Sequence, residues 1–149
     1  IIMVQGDHPY VSRNIFNRIL KEFNDKKVQI VNVASIINKP KDINDKNNVK
    51  VITNNLNDAI YFSREPIPSK WNNKEKIDYL MQTGIIAFRK NQLAKFNSSS
   101  PTRLEKIESI DMNRLIENSK KIKILKTKQF IIGVDTYADV IRARKLIKK

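Results

Sequence analysis

Ile1-Ile2-Met3-Val4-Gln5-Gly6-Asp7-His8-Pro9 opens the chain, and its pattern sets the class of fold expected for the remainder. Four apolar residues in a row suit a strand buried on both faces, and Gly6 and Pro9 end the run. A helix pattern comes next. Ser12 stands where an N-cap belongs, and Ile15, Phe16, Ile19, Leu20 and Phe23 fall on one face at helical spacing. Val28 to Ala34 reads as a second strand. Strand, helix, strand is the start of an α/β layout. The first residue is Ile1 rather than Met and already lies inside a strand-like run, which points to missing upstream sequence.

The middle of the chain departs from that alternation. Asn38 to Asn48, polar and interrupted by Pro40, reads as a loop. Val49 to Thr53 and Ala59 to Ser63 flank Asn54-Asn55-Leu56-Asn57-Asp58, a hairpin signature. Pro66 and Pro68 end the hairpin in an extended segment, and an apolar strand is expected from about Tyr79 to Phe88. A short helix follows over Asn91 to Phe96. Thr102 and Glu105 have the spacing of a capping box, and Leu104, Ile107, Ile110, Leu115 and Ile116 supply the apolar face of the helix it opens. Ile122 to Thr127 and Ile131 to Val134 read as strands. Thr136 then caps a last amphipathic helix with Asp139 at its N3 position. The sum is a single α/β domain: a mainly parallel sheet flanked by helices, with an inserted antiparallel hairpin.

Composition narrows the class. The 149 residues are 40% hydrophobic and 30% charged, as expected of a soluble globular protein. There is no cysteine, which removes disulfides and thiolate metal sites. No apolar run reaches the ~20 residues of a membrane span and no signal-peptide pattern opens the chain, so a cytoplasmic location is expected. The net charge of +14 admits two readings, a nucleic-acid surface or a lysine-rich solvated one. Lysines are spread along the whole chain and aromatics are not interleaved with them, so a base-stacking platform is not indicated. A basic pocket for an anionic substrate draws on the same charge.

Two carboxylates stand out by position. Asp7 and Asp135 each follow an apolar strand directly, and ligand sites of open α/β sheets lie outside the carboxyl ends of strands. Two aspartates brought together there suit Mg2+, which takes carboxylates, water and phosphate oxygens. Taken singly, Gly6-Asp7 is an ordinary turn and Asp135-Thr136 an ordinary cap. His8, the one histidine, cannot build a multi-histidine site and reads as an exposed loop residue. Glu105, Glu108 and Asp111 sit three apart on one helix edge, Glu105 as the capping acid and Glu108 as helix surface. With three glycines there is no glycine-rich phosphate loop.

Five segments, in order and at plausible spacing, resemble one family across the whole chain. Val4-Gln5-Gly6-Asp7-His8-Pro9 resembles the VQGDEP motif of the CMP-Kdo synthetases, the 3-deoxy-manno-octulosonate cytidylyltransferases. Ala59-Ile60-Tyr61-Phe62-Ser63-Arg64-Glu65-Pro66-Ile67-Pro68 is similar to their ALYFSRxPIP, and Gly84 to Arg89 stands where they carry GIYxYR. Leu104 to Glu108 resembles LExIE, and Gly133-Val134-Asp135-Thr136 resembles GVDTPEDL. The resemblance implies a homodimeric, Mg2+-dependent nucleotidyltransferase of lipopolysaccharide biosynthesis. In it the anomeric hydroxyl of a 3-deoxy-ulosonic acid attacks the α-phosphate of CTP and releases pyrophosphate. It further implies that Asp7 and Asp135 hold the metal at the catalytic centre, and that Gln5, Ser63 and Arg64 contact substrate, Arg64 meeting the sugar carboxylate. The dimer contact is expected on the insert spanning residues 49–88.

Two departures qualify this. The family's N-terminal phosphate-binding stretch and base-contacting segment are absent, so the N-terminal part of the fold is expected to be missing and the chain as given to bind CTP poorly. The sugar pocket also differs: Gln82 stands for a family His, Ile86 for a Tyr, and Asp111-Met112 for Glu-Gln. Losing groups that meet hydroxyls changes specificity by large factors, which points to Kdo or a related ulosonic acid. Two other readings remain, a sialic-acid-type cytidylyltransferase and a noncatalytic basic α/β module binding RNA or another polyanion.

Overall fold

A computed structural model describes residues 1–8, 11–72, 75–128, 133–134, 137, 140–141 and 143–144. In chain order the described elements are β1 (Ile2–Val4), α1 (Arg13–Glu22), β2 (Ile30–Ile36), α2 (Pro40–Asn44), β3 (Lys50–Thr53) and β4 (Ala59–Ser63). They continue with β5 (Leu80–Phe88), α3 (Lys90–Ser98), α4 (Arg103–Glu108), α5 (Met112–Glu117) and β6 (Lys123–Thr127). The sheet runs β4-β3-β5-β2-β6, with β1 also on β5.

The α/β class is as expected, but the pairing is not mainly parallel. Among the described residues only β2 and β6 pair in parallel; β1, β2 and β3 all pair antiparallel with β5, and β3 antiparallel with β4. The reason is topological. β1, β2, β3 and β6 share one direction, but β5 runs the opposite way and inserts between β2 and the β1/β3 edge. Strands that alternate with helices in sequence are therefore separated in the sheet by one that arrives later. The expected hairpin is present, yet β3 also pairs with β5, so the segment 49–88 is continuous with the main sheet.

Both faces of the sheet are covered, which explains the nearly unbroken apolar runs of β2 and β5. On one face Ile30, Ala34, Ile86, Phe88 and Ile124 pack with Ile110, Met112 and Leu115. On the other, Val31, Val33, Ile85, Ala87 and Leu125 meet Ile15 and Ile19 of α1. Alternate residues of each strand feed alternate cores, as the two-residue strand period requires.

Three local expectations need correction. The loop expected over Asn38 to Asn48 contains α2, with Pro40 at its start and Ile43 buried; proline suits the first helical position. The helix expected from Thr102 through Ile116 is two helices. Its start is as read, with Glu105 accepting the Thr102 N–H at 3.1 Å, but Ser109 turns left-handed (φ 54°, ψ 47°) and ends α4. That break swings Ile110 into the core and leaves Ile107, assigned to the apolar face, 65% exposed. The strand expected at Ile131 to Val134 and the helix following Thr136 fall largely outside the described residues.

β4 lies at the edge of the sheet, and a side chain completes its ladder. Asn113 of α5 donates Nδ2 to Phe62 O at 3.0 Å and accepts the Phe62 N–H at Oδ1, 3.3 Å, in a fully buried position. Its primary amide replaces a neighbouring strand. Asn113→Ala removes both bonds and leaves two buried backbone groups unpaired, so unfolding free energy is expected to fall by about 1–3 kcal/mol in urea titration. An unchanged midpoint and slope would show the pairing to be energetically idle.

Candidate active-site cleft

The cleft originates in how β5 is shared. β2 occupies one edge of β5 along its length, while β1 and β3 both use the other edge. β1 pairs as far as Val4↔Ile85, and Gln5 N–H then donates to Gly84 O at 2.9 Å. From the far end, Gln82 N–H donates to Val49 O at 2.8 Å just before β3 begins. The carboxyl end of β1 and the amino end of β3 thus face each other across Gln82 to Gly84. This edge of β5 is left after Gln5 and rejoined at Val49, and a cavity of about 740 Å³ opens at the gap.

Five residues expected to bind substrate or metal, Gln5, Asp7, Arg64, Gln82 and Asp111, line this one cleft, with Gly133 beside them. Four elements or their flanks deliver them: β1, β4, β5 and the α4–α5 junction. Asp135 lies outside the described residues, so its separation from Asp7 does too. Val134, the residue before it, donates its N–H to Asp7 O at 2.9 Å, joining the GVDT segment to the QGD turn.

Ser63 does not reach the wall. It is buried, its hydroxyl donates to Glu108 Oε1 at 2.9 Å, and it accepts the Glu65 N–H at 3.0 Å. Arg64 lines the cleft but is anchored by its own guanidinium. Nε donates to Glu108 O (2.8 Å), one terminal nitrogen to Lys46 O (2.9 Å) and the other to Ser109 O (3.2 Å). Three of five N–H donors are engaged, leaving two for a ligand. Glu65, next in the chain, pairs with Lys46 at 2.8 Å rather than with Arg64.

Glu108 is the organising residue that sequence reasoning assigned to helix surface. Its carboxylate accepts from Tyr61 Oη (3.0 Å), Ser63 Oγ (2.9 Å) and the Arg64 N–H (2.9 Å), clasping α4 to the end of β4. Burial alone pushes this carboxyl up, but the Arg64, Ser63 and Tyr61 hydrogen bonds outweigh it and hold it below its ordinary value. The three-residue spacing of Glu105, Glu108 and Asp111 was visible in the sequence; that this edge turns inward was not. Lys50 braces the same corner. Fully buried, it donates to Asp45 O at 2.9 Å and to Arg64 O, and burial lowers its ammonium pKa.

His8 also departs from its expected place. Its side chain is 8% exposed, not a loop residue in solvent: Nδ1 lies 2.9 Å from Asp7 Oδ1, and Nε2 accepts the Gly84 N–H at 3.3 Å. Gly84 is required by proximity rather than by backbone conformation. A Cβ there would stand 2.2 Å from Gln5 Oε1 and 2.7 Å from Gln5 Cβ, so any side chain displaces Gln5. Two of the departures expected in the sugar pocket lie elsewhere: Ile86 and Met112 are buried in the core, so only Gln82 and Asp111 face the cleft.

The cleft is acidic in a basic protein. Asp7, Asp42, Asp45, Glu105 and Asp111 line it against Arg64 and Lys106. Glu105 is already paired with Arg114 at 2.7 and 2.5 Å, which holds its carboxyl below the usual range. Asp111 is open to solvent at its surface, but the surrounding protein desolvates it and pushes its carboxyl up. Among the described residues no three His, Asp or Glu side chains converge on a metal site. The donor chemistry nonetheless fits Mg2+, which is commonly held by one or two carboxylates plus substrate phosphates.

The helix-flanked mixed sheet that carries this cleft matches a nucleotidyltransferase-type fold. Residues 1–122 match the protein family described as cytidylyltransferase, and the chain belongs to that family. It is 37% identical over 150 residues to the 3-deoxy-manno-octulosonate cytidylyltransferase of Christiangramia forsetii, covering 99% of this chain and 60% of that protein. The enzyme of the same name from Flavobacterium johnsoniae is 34% identical over 151 residues, 99% of this chain and 62% of that one. The solved structure of CMP:2-keto-3-deoxy-manno-octonic acid synthetase complexed with CTP superimposes with a TM-score of 0.87 at 29% identity, covering 99% of this chain and 61% of that one. The expected resemblance to CMP-Kdo synthetases is borne out. The chain spans about 60% of the length of these relatives.

Because its folded pKa is depressed, Glu108 contributes stability that is fully present above its ordinary value of 4.5 and is lost as pH falls through the lowered folded value. Glu108→Gln is expected to be less stable than the parent at neutral pH, with the difference shrinking as pH drops below about 4. Parallel thermal melts across pH check this; a pH-independent difference would mean that packing rather than charge holds the clasp.

Proposed function

We propose that the intact protein transfers CMP from CTP to Kdo or a related 3-deoxy-ulosonic acid. The anomeric oxygen of the sugar forms the new bond to the α-phosphorus, the bond to the β-phosphate bridging oxygen breaks, and pyrophosphate leaves. The hydroxyl proton passes to solvent. The observation that carries this reading is the gathering of Gln5, Asp7, Arg64, Gln82 and Asp111 around one cleft, with Val134 bonded to Asp7 O. Membership of the cytidylyltransferase family and the names of the relatives support it.

Each side chain has a definite task in this scheme. Asp7 and Asp135 would hold Mg2+, a hard oxygen-ligated ion that would neutralise phosphate charge. Arg64, fixed by three carbonyls, presents its two remaining N–H groups to the sugar carboxylate. Gln5 and Gln82 donate to or accept from sugar hydroxyls. Asp111, which lines the cleft, accepts from a sugar hydroxyl. Gln82 and Asp111 set sugar choice, since they are the departures from the family pattern that face the cleft. Ser63 acts on Arg64 indirectly, through Glu108.

The wider setting comes from the same reading: a cytoplasmic enzyme supplying an activated sugar to lipopolysaccharide, acting as a homodimer with contacts on the 49–88 segment, where Leu56 and Ile60 are exposed. No described helix is long and apolar enough to cross a membrane. A polyanion-binding role is disfavoured at the cleft, where carboxylates outnumber cationic side chains among the described residues.

Pyrophosphate release from CTP is to be measured with Mg2+ and a panel including Kdo, other 3-deoxy-ulosonic acids and sialic acid. Release with an ulosonic acid is expected; none with any member by folded protein sinks the proposal. Asp7→Asn and Asp135→Asn are each expected to cost at least roughly a hundredfold in kcat while the fold survives. Turnover at the parent rate by either variant removes that carboxylate from the metal site.

A further inference from the structure

We infer that His8 is a positioning residue that locks the Asp7 carboxylate to strand β5 through a fixed imidazole tautomer. The chemistry stems from one donor that cannot change its role. The Gly84 backbone N–H can only donate, and it points at His8 Nε2 at 3.3 Å. Nε2 must therefore present its lone pair, and the proton of the neutral ring sits on Nδ1. Nδ1 lies 2.9 Å from Asp7 Oδ1 and donates to it. The ring thus carries a directed link from a strand amide to a carboxylate, and it does so nearly out of solvent, 8% exposed.

The surroundings reinforce the lock. Gly84 O accepts the Gln5 N–H at 2.9 Å, so both backbone groups on this edge of Gly84 hold the turn carrying Gln5, Asp7 and His8. The His8 N–H donates to Gln5 O at 3.1 Å and closes the turn. With one carboxylate oxygen engaged by the ring, Asp7 loses rotational freedom and keeps its other oxygen for a cation. The same peptide that orients Asp7 lies two residues from Gln82, so metal-side and sugar-side groups are set from one strand. This rests on the proposed function only in what the locked carboxylate holds. The tautomer and the tether stand independently of it.

The experiment has a spectroscopic arm and a binding arm. In the intact protein with 15N-labelled histidine, the His8 ring, assigned by its loss in His8→Gln, is expected to show a protonated Nδ1 and an unprotonated Nε2. A proton on Nε2, or on both nitrogens, overturns the inference. In the binding arm, Mn2+ affinity and CMP transfer are compared for parent, His8→Leu and His8→Gln. The leucine variant keeps bulk and loses both polar contacts, and is expected to lose roughly 10–100-fold in metal affinity and kcat, with KM for the sugar acid little changed. Glutamine carries one donor and one acceptor at comparable spacing and is expected to restore most of that loss. Equal loss in both variants, or loss in neither, defeats the positioning role. Nδ1 protonation and the expected Mn2+ pattern without any CMP transfer would instead defeat the proposed function and leave His8 as assigned.

Discussion

The structure depends on a single strand edge carrying two partners end to end. β5 has nine residues, and β1 and β3 together pair with only part of one side of it, meeting at Gln82 to Gly84. A continuous neighbour along that side would leave no opening. Two short ones that stop against each other leave a gap whose walls are backbone held rigidly by the sheet. Side chains mounted on such walls lose little freedom when they meet a ligand, which is the condition that positioning catalysis requires. The gap also fixes why Gly84 has no side chain: the Gln5 side chain lies directly over it.

How much of this could be read in the sequence divides along the range of the interaction. Element types came from local signals: the apolar runs of β2 and β5, the Asn-rich hairpin, and the Thr102–Glu105 start of α4 all stand where the pattern puts them. Site residues came from motif order, which brought Gln5, Arg64, Gln82 and Asp111 to attention although they lie far apart in the chain. What the sequence concealed was long-range. Pairing direction could not be seen, because β5 inserts among strands that precede it. The kink at Ser109 was invisible because a non-glycine residue in a left-handed conformation leaves no compositional trace. Glu108 read as surface because its partners, Tyr61, Ser63 and Arg64, are more than forty positions away. His8 read as exposed for the same reason, its second contact being Gly84.

The charge distribution combines two functions that composition alone sets against each other. A net charge of +14 draws anionic molecules towards the protein as a whole. The cleft, however, is lined by carboxylates that repel a bare phosphate. Long-range attraction and short-range rejection therefore act on an anion in opposite senses. Lysines distributed over the surface then act as a field, and the few charges inside act as a filter.

The amide of Asn113 on Phe62 has a consequence for assembly. Sheet edges invite a second chain to extend the ladder, a route to uncontrolled association. On β4 that invitation is withdrawn: the outward groups of Phe62 are taken by α5, and the Ala59 N–H by Ile122 O at 2.8 Å. At Phe62 and Ala59 a docking copy would therefore meet side chains rather than free main-chain groups, a form of contact that selects by shape.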